Sequence, residues 1–430
     1  MYENLTRFVK KLVPRKVFNF FQPAYHFALA ILGSLLYRNP GRDIFVIGIT
    51  GTKGKTTTVE LVSAILEEAG YKTAIASTLR FKIGIETQRN LYKMTMPGRF
   101  VIQKFIREAV KASCDYAIIE MTSEGAKQYR HKFLNMNSLI FTNITPEHLE
   151  SHGSYEAYLA AKLSIAKELE RSSKPQKTII VNVDSEESEK FLAIRGVQKI
   201  TYRLEDAKPF DLSSDNSKIT FEDREITTSL PGEFNVYNIL AAASFARTQN
   251  IDVGVIKRAI ERFKGVAGRM EETIIKDEDE NIIPLPFKVI VDYAHTEDSL
   301  RKVYGVYTDK RKICVLGSCG GGRDKWKRPL MGKVADENCD EIILTNEDPY
   351  DEDPKLIILD VASGIKNKEP KVIIDRREAI REAISKAGFG DIVIVTGKGT
   401  DPYIMGPNGT KQPWSDLQVA EEELAKVYKK

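Results

Sequence analysis

Between Gly48 and Thr58 the chain reads GITGTKGKTTT, spaced glycines followed by a lysine and three hydroxyls. Glycine at 51 and 54 lets a backbone approach an anion and reach dihedrals other residues avoid. Lys55 is placed to neutralise the β- and γ-phosphates of a nucleotide, and the Thr56 hydroxyl to ligate Mg²⁺. The expected phosphate cradle comprises Gly51, Thr52, Lys53, Gly54, Lys55, Thr56 and Thr57. It departs from the strict GxxxxGK[ST] spacing, because Ile49 stands where the first glycine would be.

Such a loop needs a strand before it and a helix after it. Ile44-Phe45-Val46-Ile47 supplies the first, and Leu61, Val62, Ile65, Leu66 and Ala69 recur behind the loop at helical spacing. The helix N-terminus adds N–H groups and a partial positive charge. Further strand-like runs at 73–76, 116–120, 138–142 and 178–183 alternate with helical stretches. That alternation implies a parallel sheet with helices on both faces, whose functional residues gather at strand carboxyl ends. Lys55, Thr56, Glu120 and Asn143 all fall there. Residues 198–230 read as short strands and turns, and a break falls near 265–268. From Arg269 the pattern restarts, with strands expected at 288–292, 313–316, 341–344, 371–374 and 391–395. The GSCGGG loop at 317–322 lacks the GxGxxG spacing, which argues against a dinucleotide site. The expected fold class is α/β: an N-terminal helical segment (1–43), a P-loop central domain with a parallel sheet (44–266) and a C-terminal doubly wound, Rossmann-like domain (267–430).

The 430 residues, 42% hydrophobic and 29% charged, fit a soluble globular chain of two or three domains. A net charge of +4 makes no case for nucleic acid. Cys114, Cys314, Cys319 and Cys339 form no CxxC pair, so neither a zinc ribbon nor a disulfide framework is expected, and a cytoplasmic setting is the simplest. Val17 to Tyr37 carries no formal charge, between basic flanks that include Lys16 and Arg38. Its length approaches the roughly 20 residues of a membrane span, but Asn19, Gln22, Pro23, His26 and Gly33 weaken one. A helix packed on the next domain, a helix on a membrane surface and a true span all stay open, so peripheral membrane contact through residues 1–42 is kept as an expectation. No convincing cleavage site follows, so a signal peptide is not expected.

In chain order, GTKGKTT, EMTSEGAKQYR, FTNITPEHLESHG, YLAAK, GEFNVYN, GRME, DYAHTEDSL, GGGRDKWKRPLMG, TNEDPYDEDP and TGKGTD cover about residues 44–405. Together they resemble the Mur ligases, ATP-dependent amide-forming enzymes of peptidoglycan precursor synthesis, and within them the MurE type. The resemblance implies that an acyl carboxylate attacks the γ-phosphate of ATP and that an amine then attacks the acyl-phosphate. The protein positions the reactants and neutralises charge, with two Mg²⁺ ions bridging the phosphates and the acyl oxygen. It also implies catalytic roles for Lys55, Glu120, His148 and Lys162, with Thr56, Glu120, His148 and Lys162 serving the metals. Read alone, His148 would be a capping or structural group, because Mg²⁺ prefers oxygen. Lys162 is expected to be carbamylated, since burial favours the neutral amine that CO₂ modifies. Asn238 matches the adenine contact. Arg269 and Asp292 match C-terminal groups that reach ATP on domain closure. Thr95, Ser123, Gln128 and Arg130 match positions holding the nucleotide-sugar peptide. Glu147 and Met96 replace the family's usual aspartate and threonine.

Two departures shape the substrate expectation. About 43 residues precede the ATPase core, too few for the domain that grips the uridine nucleotide, so a lipid carrier becomes an alternative. The diaminopimelate motif DNPR aligns with Glu347-Asp348-Pro349-Tyr350, without its arginine. Glu347, Asp348 and Asp401 suit an ammonium group, so L-lysine is expected over meso-diaminopimelate. The leading expectation is a monomeric ligase with small-molecule substrates. A folylpolyglutamate-type enzyme, a ligase for lipid-linked muropeptide and a non-catalytic ATP-binding scaffold are the alternatives.

Overall fold

The structure is a computed structural model that describes residues 15–92, 94–147, 149–214 and 216–429. The chain forms two compact units, one from residues up to 147 with 155–206 and 237–259, the other from 148–154, 207–236 and 260–430.

The first unit carries helix α1 (Arg15–Leu36), then β1 (Phe45–Thr50), α2 (Lys55–Glu68), β2 (Thr73–Ala76), β3 (Arg80–Ile83) and β4 (Glu86–Arg89). It continues through α3 (Arg99–Lys111), β5 (Tyr116–Met121), α4 (Ser123–Lys127), β6 (Ser138–Phe141), α5 (Tyr155–Glu170), β7 (Thr178–Asn182) and β8 (Gln198–Tyr202). Helices α6 (Glu233–Thr248) and α7 (Val253–Arg262) follow later in the chain. The strands form one sheet in the order β4-β3-β2-β5-β1-β6-β7-β8. All pairs are parallel except β2–β3 and β3–β4. Strand β1 reads FVIGIT and is buried on both faces, as a central parallel strand must be. Val46, Ala117, Ile119, Leu139 and Val181 share one core with Ile106, Tyr158 and Ile165. Ile47, Ile49, Ile118 and Ile140 point the other way and are equally buried.

Helix α1 packs on this unit. The Phe27 ring lies 5.9 Å from Tyr129 and 5.6 Å from Phe133. Arg107 donates to the carbonyls of Tyr37 and Arg38 at 3.0 and 3.1 Å. Among the described residues no helix is long and apolar enough to cross a membrane, so the spanning alternative for α1 falls.

The second unit holds the hairpin β9 (Ser217–Phe221) and β10 (Arg224–Thr228), then β11 (Glu271–Glu272), β12 (Lys288–Asp292), α8 (Glu297–Tyr304), β13 (Lys312–Leu316), α9 (Lys327–Asn338) and β14 (Glu341–Leu344). It ends with α10 (Pro354–Ala362), β15 (Lys371–Val372), α11 (Arg376–Lys386), β16 (Ile392–Thr396), the pair β17 (Tyr403–Met405) and β18 (Lys411–Pro413), and α12 (Asp416–Tyr428). The main sheet runs β11-β12-β16-β13-β14-β15, antiparallel only at β11–β12. Alternation along the strands splits its side chains between two cores. Ile290, Cys314, Leu316, Ile342 and Ile394 face one, and Val289, Ile313, Val315, Ile343 and Val395 the other.

One expectation is corrected here. Cys314 on β13 and Cys339 after α9 are joined by a disulfide. The 25-residue separation gave no sequence signal; the pairing arises because α9 packs on the sheet face into which Cys314 points.

Candidate active site

The loop between β1 and α2 is clamped by residues that follow β6. The Thr52 N–H donates to the Asn143 carbonyl and the Lys53 N–H to Asn143 Oδ1, both at 2.9 Å. Asn143 Nδ2 and Thr142 Oγ1 donate to the Lys53 carbonyl at 3.1 and 2.7 Å. Gly54 has φ +81°, and a Cβ there would lie 2.2 Å from Asn238 Oδ1. Gly51 is equally committed, since a Cβ would meet Thr142 Oγ1 at 2.0 Å. The loop is therefore held open by contacts that no side chain could share.

Lys55, the first residue of α2, donates from Nζ to the Gly51 and Thr52 carbonyls at 3.1 and 2.8 Å. Lys162 reaches the same Gly51 carbonyl from α5 at 2.6 Å, with Nζ 4.9 Å from the Tyr158 ring centre. It is fully buried; burial first, and then the charge of Lys55, push its pKa well below the usual lysine value, against Glu147. Tyr158 OH shares a 2.7 Å hydrogen bond with Thr52 Oγ1, which fixes α5 against the loop. Lys53 pairs with Glu147 at 3.0 Å.

Glu120 lies beside Ile49 in the β1–β5 register, at the carboxyl end of the sheet, and is 2% exposed. Its Oε2 accepts from Thr56 Oγ1 at 3.1 Å and from the Thr78 N–H at 2.8 Å. Its Oε1 accepts from Thr78 Oγ1 at 3.0 Å, and that hydroxyl shares a 2.8 Å bond with Thr95. Thr78 was missed from sequence. The one available signal was its position just past β2, which adjoins β5 in parallel. The structure thus brings Lys55, Thr56, Glu120, Lys162 and Thr95 into one locality. Asn238 on α6 joins them, accepting from Thr58 Oγ1 at 3.4 Å. His148 lies outside the described residues.

The remaining peptide-site candidates sit alongside. Ser123 begins α4, and Thr122 caps that helix by accepting from the Gly125 N–H at 3.1 Å. Arg130 donates to Gln128 Oε1 at 2.7 Å and to the Met96 carbonyl.

In the second unit, Asp292 accepts from the N–H groups of Met270 and Ala294 at 2.7 and 2.6 Å. The Arg269 guanidinium stacks 4.5 Å from the Tyr293 ring centre. Asp348 and Asp401 are both engaged by Lys398, at 2.8 and 2.9 Å. Glu347 is 2% exposed; Cys319 Sγ donates to its Oε1 at 2.8 Å, and its Oε2 is buried without a partner. Lys398 was not singled out from sequence, although it stands inside TGKGTD.

Residues 49–246 match the Mur ligase middle domain, and residues 268–399 match the Mur ligase, glutamate ligase domain. A UDP-N-acetylmuramoyl-L-alanyl-D-glutamate--2,6-diaminopimelate ligase of Clostridium botulinum is 38% identical over 415 residues, which is 93% of this chain and 82% of that protein. A solved structure of a ligase of the same name superposes with a TM-score of 0.59 at 26% identity, covering 89% of this chain and 79% of that one. The folylpolyglutamate synthase of Mycobacterium tuberculosis with ADP gives a TM-score of 0.67 over 93% of both chains; at 16% identity that likeness is one of fold alone. The chain belongs to the Mur ligase family and is an ATP-dependent ligase.

Proposed function

We propose that the protein joins an amino acid to the carboxylate of a UDP-N-acetylmuramoyl-dipeptide-like substrate through an acyl-phosphate. The carrying observation is the convergence of Lys55, the Thr56–Glu120 pair and buried Lys162 on one phosphate loop. Names of relatives supply the substrate class.

On this reading Lys55 and the loop N–H groups hold the ATP phosphates, and Asn238 contacts the adenine. A carboxylate oxygen of the acyl substrate forms a bond to the γ-phosphorus while the bond to the β–γ bridging oxygen breaks, releasing ADP. The amine then attacks the acyl carbon, the phosphate leaves with that carboxylate oxygen, and the nitrogen loses a proton. Thr56 and Glu120 offer hard oxygen donors of the kind Mg²⁺ takes. No three His, Cys, Asp or Glu side chains converge among the described residues, so phosphate oxygens would complete the coordination. The ion, when bound, would neutralise developing charge. Lys162, whose burial favours the neutral amine, is proposed to carry the carbamate and His148 to serve the same cluster. Thr95, Ser123, Gln128 and Arg130 are proposed to hold the acyl substrate, and Arg269 and Asp292 to contact the nucleotide.

The amine is proposed to be a diamino acid. Glu347, with its unpartnered Oε2, favours an ammonium group such as that of L-lysine, whereas Asp348 and Asp401 already share Lys398. Relatives named as diaminopimelate ligases favour that amine. The test is phosphate release by the purified full chain with ATP, Mg²⁺, UDP-N-acetylmuramoyl-dipeptide and each amino acid in turn. An ¹⁸O label in the substrate carboxylate must appear in the released phosphate. Release without dependence on both acyl substrate and amine, or unlabelled phosphate, would sink the reading.

A further inference from the structure

Helix α1 (Arg15–Leu36) is inside out for a helix on the surface of a globular unit. Such a helix ordinarily buries its large apolar side chains and shows charged ones to water. Here the face turned to the protein is small or polar. Ala30 and Ser34 are 2% exposed, a Cβ on buried Gly33 would touch Phe100 at 3.6 Å, and His26 bonds Arg99 of α3. The opposite face carries Phe21, Tyr25, Leu32, Leu35 and Leu36 at helical spacing, each between 54% and 62% exposed. No charge interrupts that face, since Val17 to Tyr37 contains none. A contiguous apolar patch of this kind marks a place where something docks.

The charges around the helix say what docks. Arg15 and Lys16 open it, and Arg38 and Arg42 follow it. The nearest acid after it, Asp43, is paired with Arg107 at 3.0 Å. Residues 1–16 hold five basic residues against one acidic, whereas the whole chain has 64 against 60, so the entire +4 excess lies at this end. An apolar face with basic ends complements a bilayer with anionic headgroups: the apolar side chains enter the acyl boundary and the cations meet the phosphates. A second copy of the chain is a poorer match. Both ends of the helix are basic, so pairing two copies along this face, parallel or antiparallel, sets like charges together. The helix lies on the bilayer rather than across it, because its other face is taken by Arg99 of α3 and by Tyr129 and Phe133 after α4.

We infer that α1 docks the protein on an anionic lipid surface, with Phe21, Tyr25, Leu32, Leu35 and Leu36 inserted at the level of the headgroups. Binding is measured without ATP or acyl substrate, so the inference stands or falls apart from the ligase reading. The full chain is floated with vesicles of phosphatidylcholine, alone or with about 30% phosphatidylglycerol. It is expected to rise with the anionic vesicles, to bind the neutral ones at least about tenfold more weakly, and to be released as salt is raised from about 0.1 M to about 0.5 M. L32Q/L35Q changes two exposed side chains, so it should melt like the wild type and lose at least about tenfold in vesicle affinity. If the pair does not fold, L36Q alone gives the same readout. R15Q/K16Q should lose about fivefold per charge on anionic vesicles and nothing on neutral ones. Analytical ultracentrifugation without lipid identifies the other occupants. A dimer that L32Q/L35Q dissolves, with no vesicle binding, assigns the face to a second copy; a monomer that no vesicle binds means that the chain's own residues cover it. Either result overturns the inference, as do wild-type vesicle affinity in the leucine variants and binding that ignores both salt and lipid charge.

Discussion

Replacing Thr78 by valine changes the shape of the site little and removes one hydroxyl. That hydroxyl donates to Glu120 Oε1 at 3.0 Å and meets Thr95 at 2.8 Å. The Thr78 N–H bond to Oε2, at 2.8 Å, survives. A hydrogen bond to a charged group contributes about 1.5–3 kcal/mol, and here the acceptor is a carboxylate only 2% exposed. With the backbone bond retained, a loss of about 2 kcal/mol is expected. For a unit of this size that lowers its thermal transition by roughly 4–8 °C. Glu120 would also lose a restraint on its orientation, so, on the metal role proposed for it, turnover should fall about 10- to 100-fold. Scanning calorimetry on the nucleotide-free full chain, with ligase assays on the same preparations, measures both. T78S keeps the hydroxyl and should recover most of each loss. If T78V melts and turns over like the wild type, the hydroxyl does not hold Glu120 and the reasoning fails.

G54A forces a Cβ to within 2.2 Å of Asn238 Oδ1 at φ +81°, so ADP affinity measured by calorimetry should fall; unchanged affinity would mean the loop adapts. K162A should abolish turnover, with partial return on adding formate or acetate if a carbamate is the working group; loss without any rescue would favour the plain amine. K398M removes the ammonium that faces both Asp348 and Asp401, while the Met405 N–H still donates to Asp348 at 2.7 Å, and should cost the second unit about 3 kcal/mol in denaturant; wild-type stability would show that the lost charge contact contributes little. Burial raises the Glu423 pKa, but bonds from Lys426, Arg377 and Arg381 outweigh it and hold the group at about 2. Its stabilisation is therefore complete above the ordinary 4.5 and is lost as pH falls towards 2. The wild-type melting temperature should drop more steeply than that of E423Q across this acid window, and parallel curves would refute the assignment.

Local signals made much of the molecule legible from sequence. The strand, glycine loop and helix around 45–68 carry their pattern within one stretch, so the phosphate loop, the strand bearing Glu120 and the strand that Asn143 follows could be placed without coordinates. The apolar runs of the second unit did the same, because parallel strands buried on both faces need continuous apolar sequence. Contacts between distant segments left no such trace. Thr78 reaches Glu120 only because β2 and β5 are neighbours, and Lys398 neutralises Asp348 from 50 residues away. Asp348 and Asp401 looked like free carboxylates in the sequence for that reason. Cys314 met Cys339, and His26 met Arg99, through helix packing that spacing does not encode. Residue type and period determined the elements and the chemistry available to them. The tertiary structure alone decided which charges are already paired, because pairing depends on distances of a few ångströms that chain order does not fix.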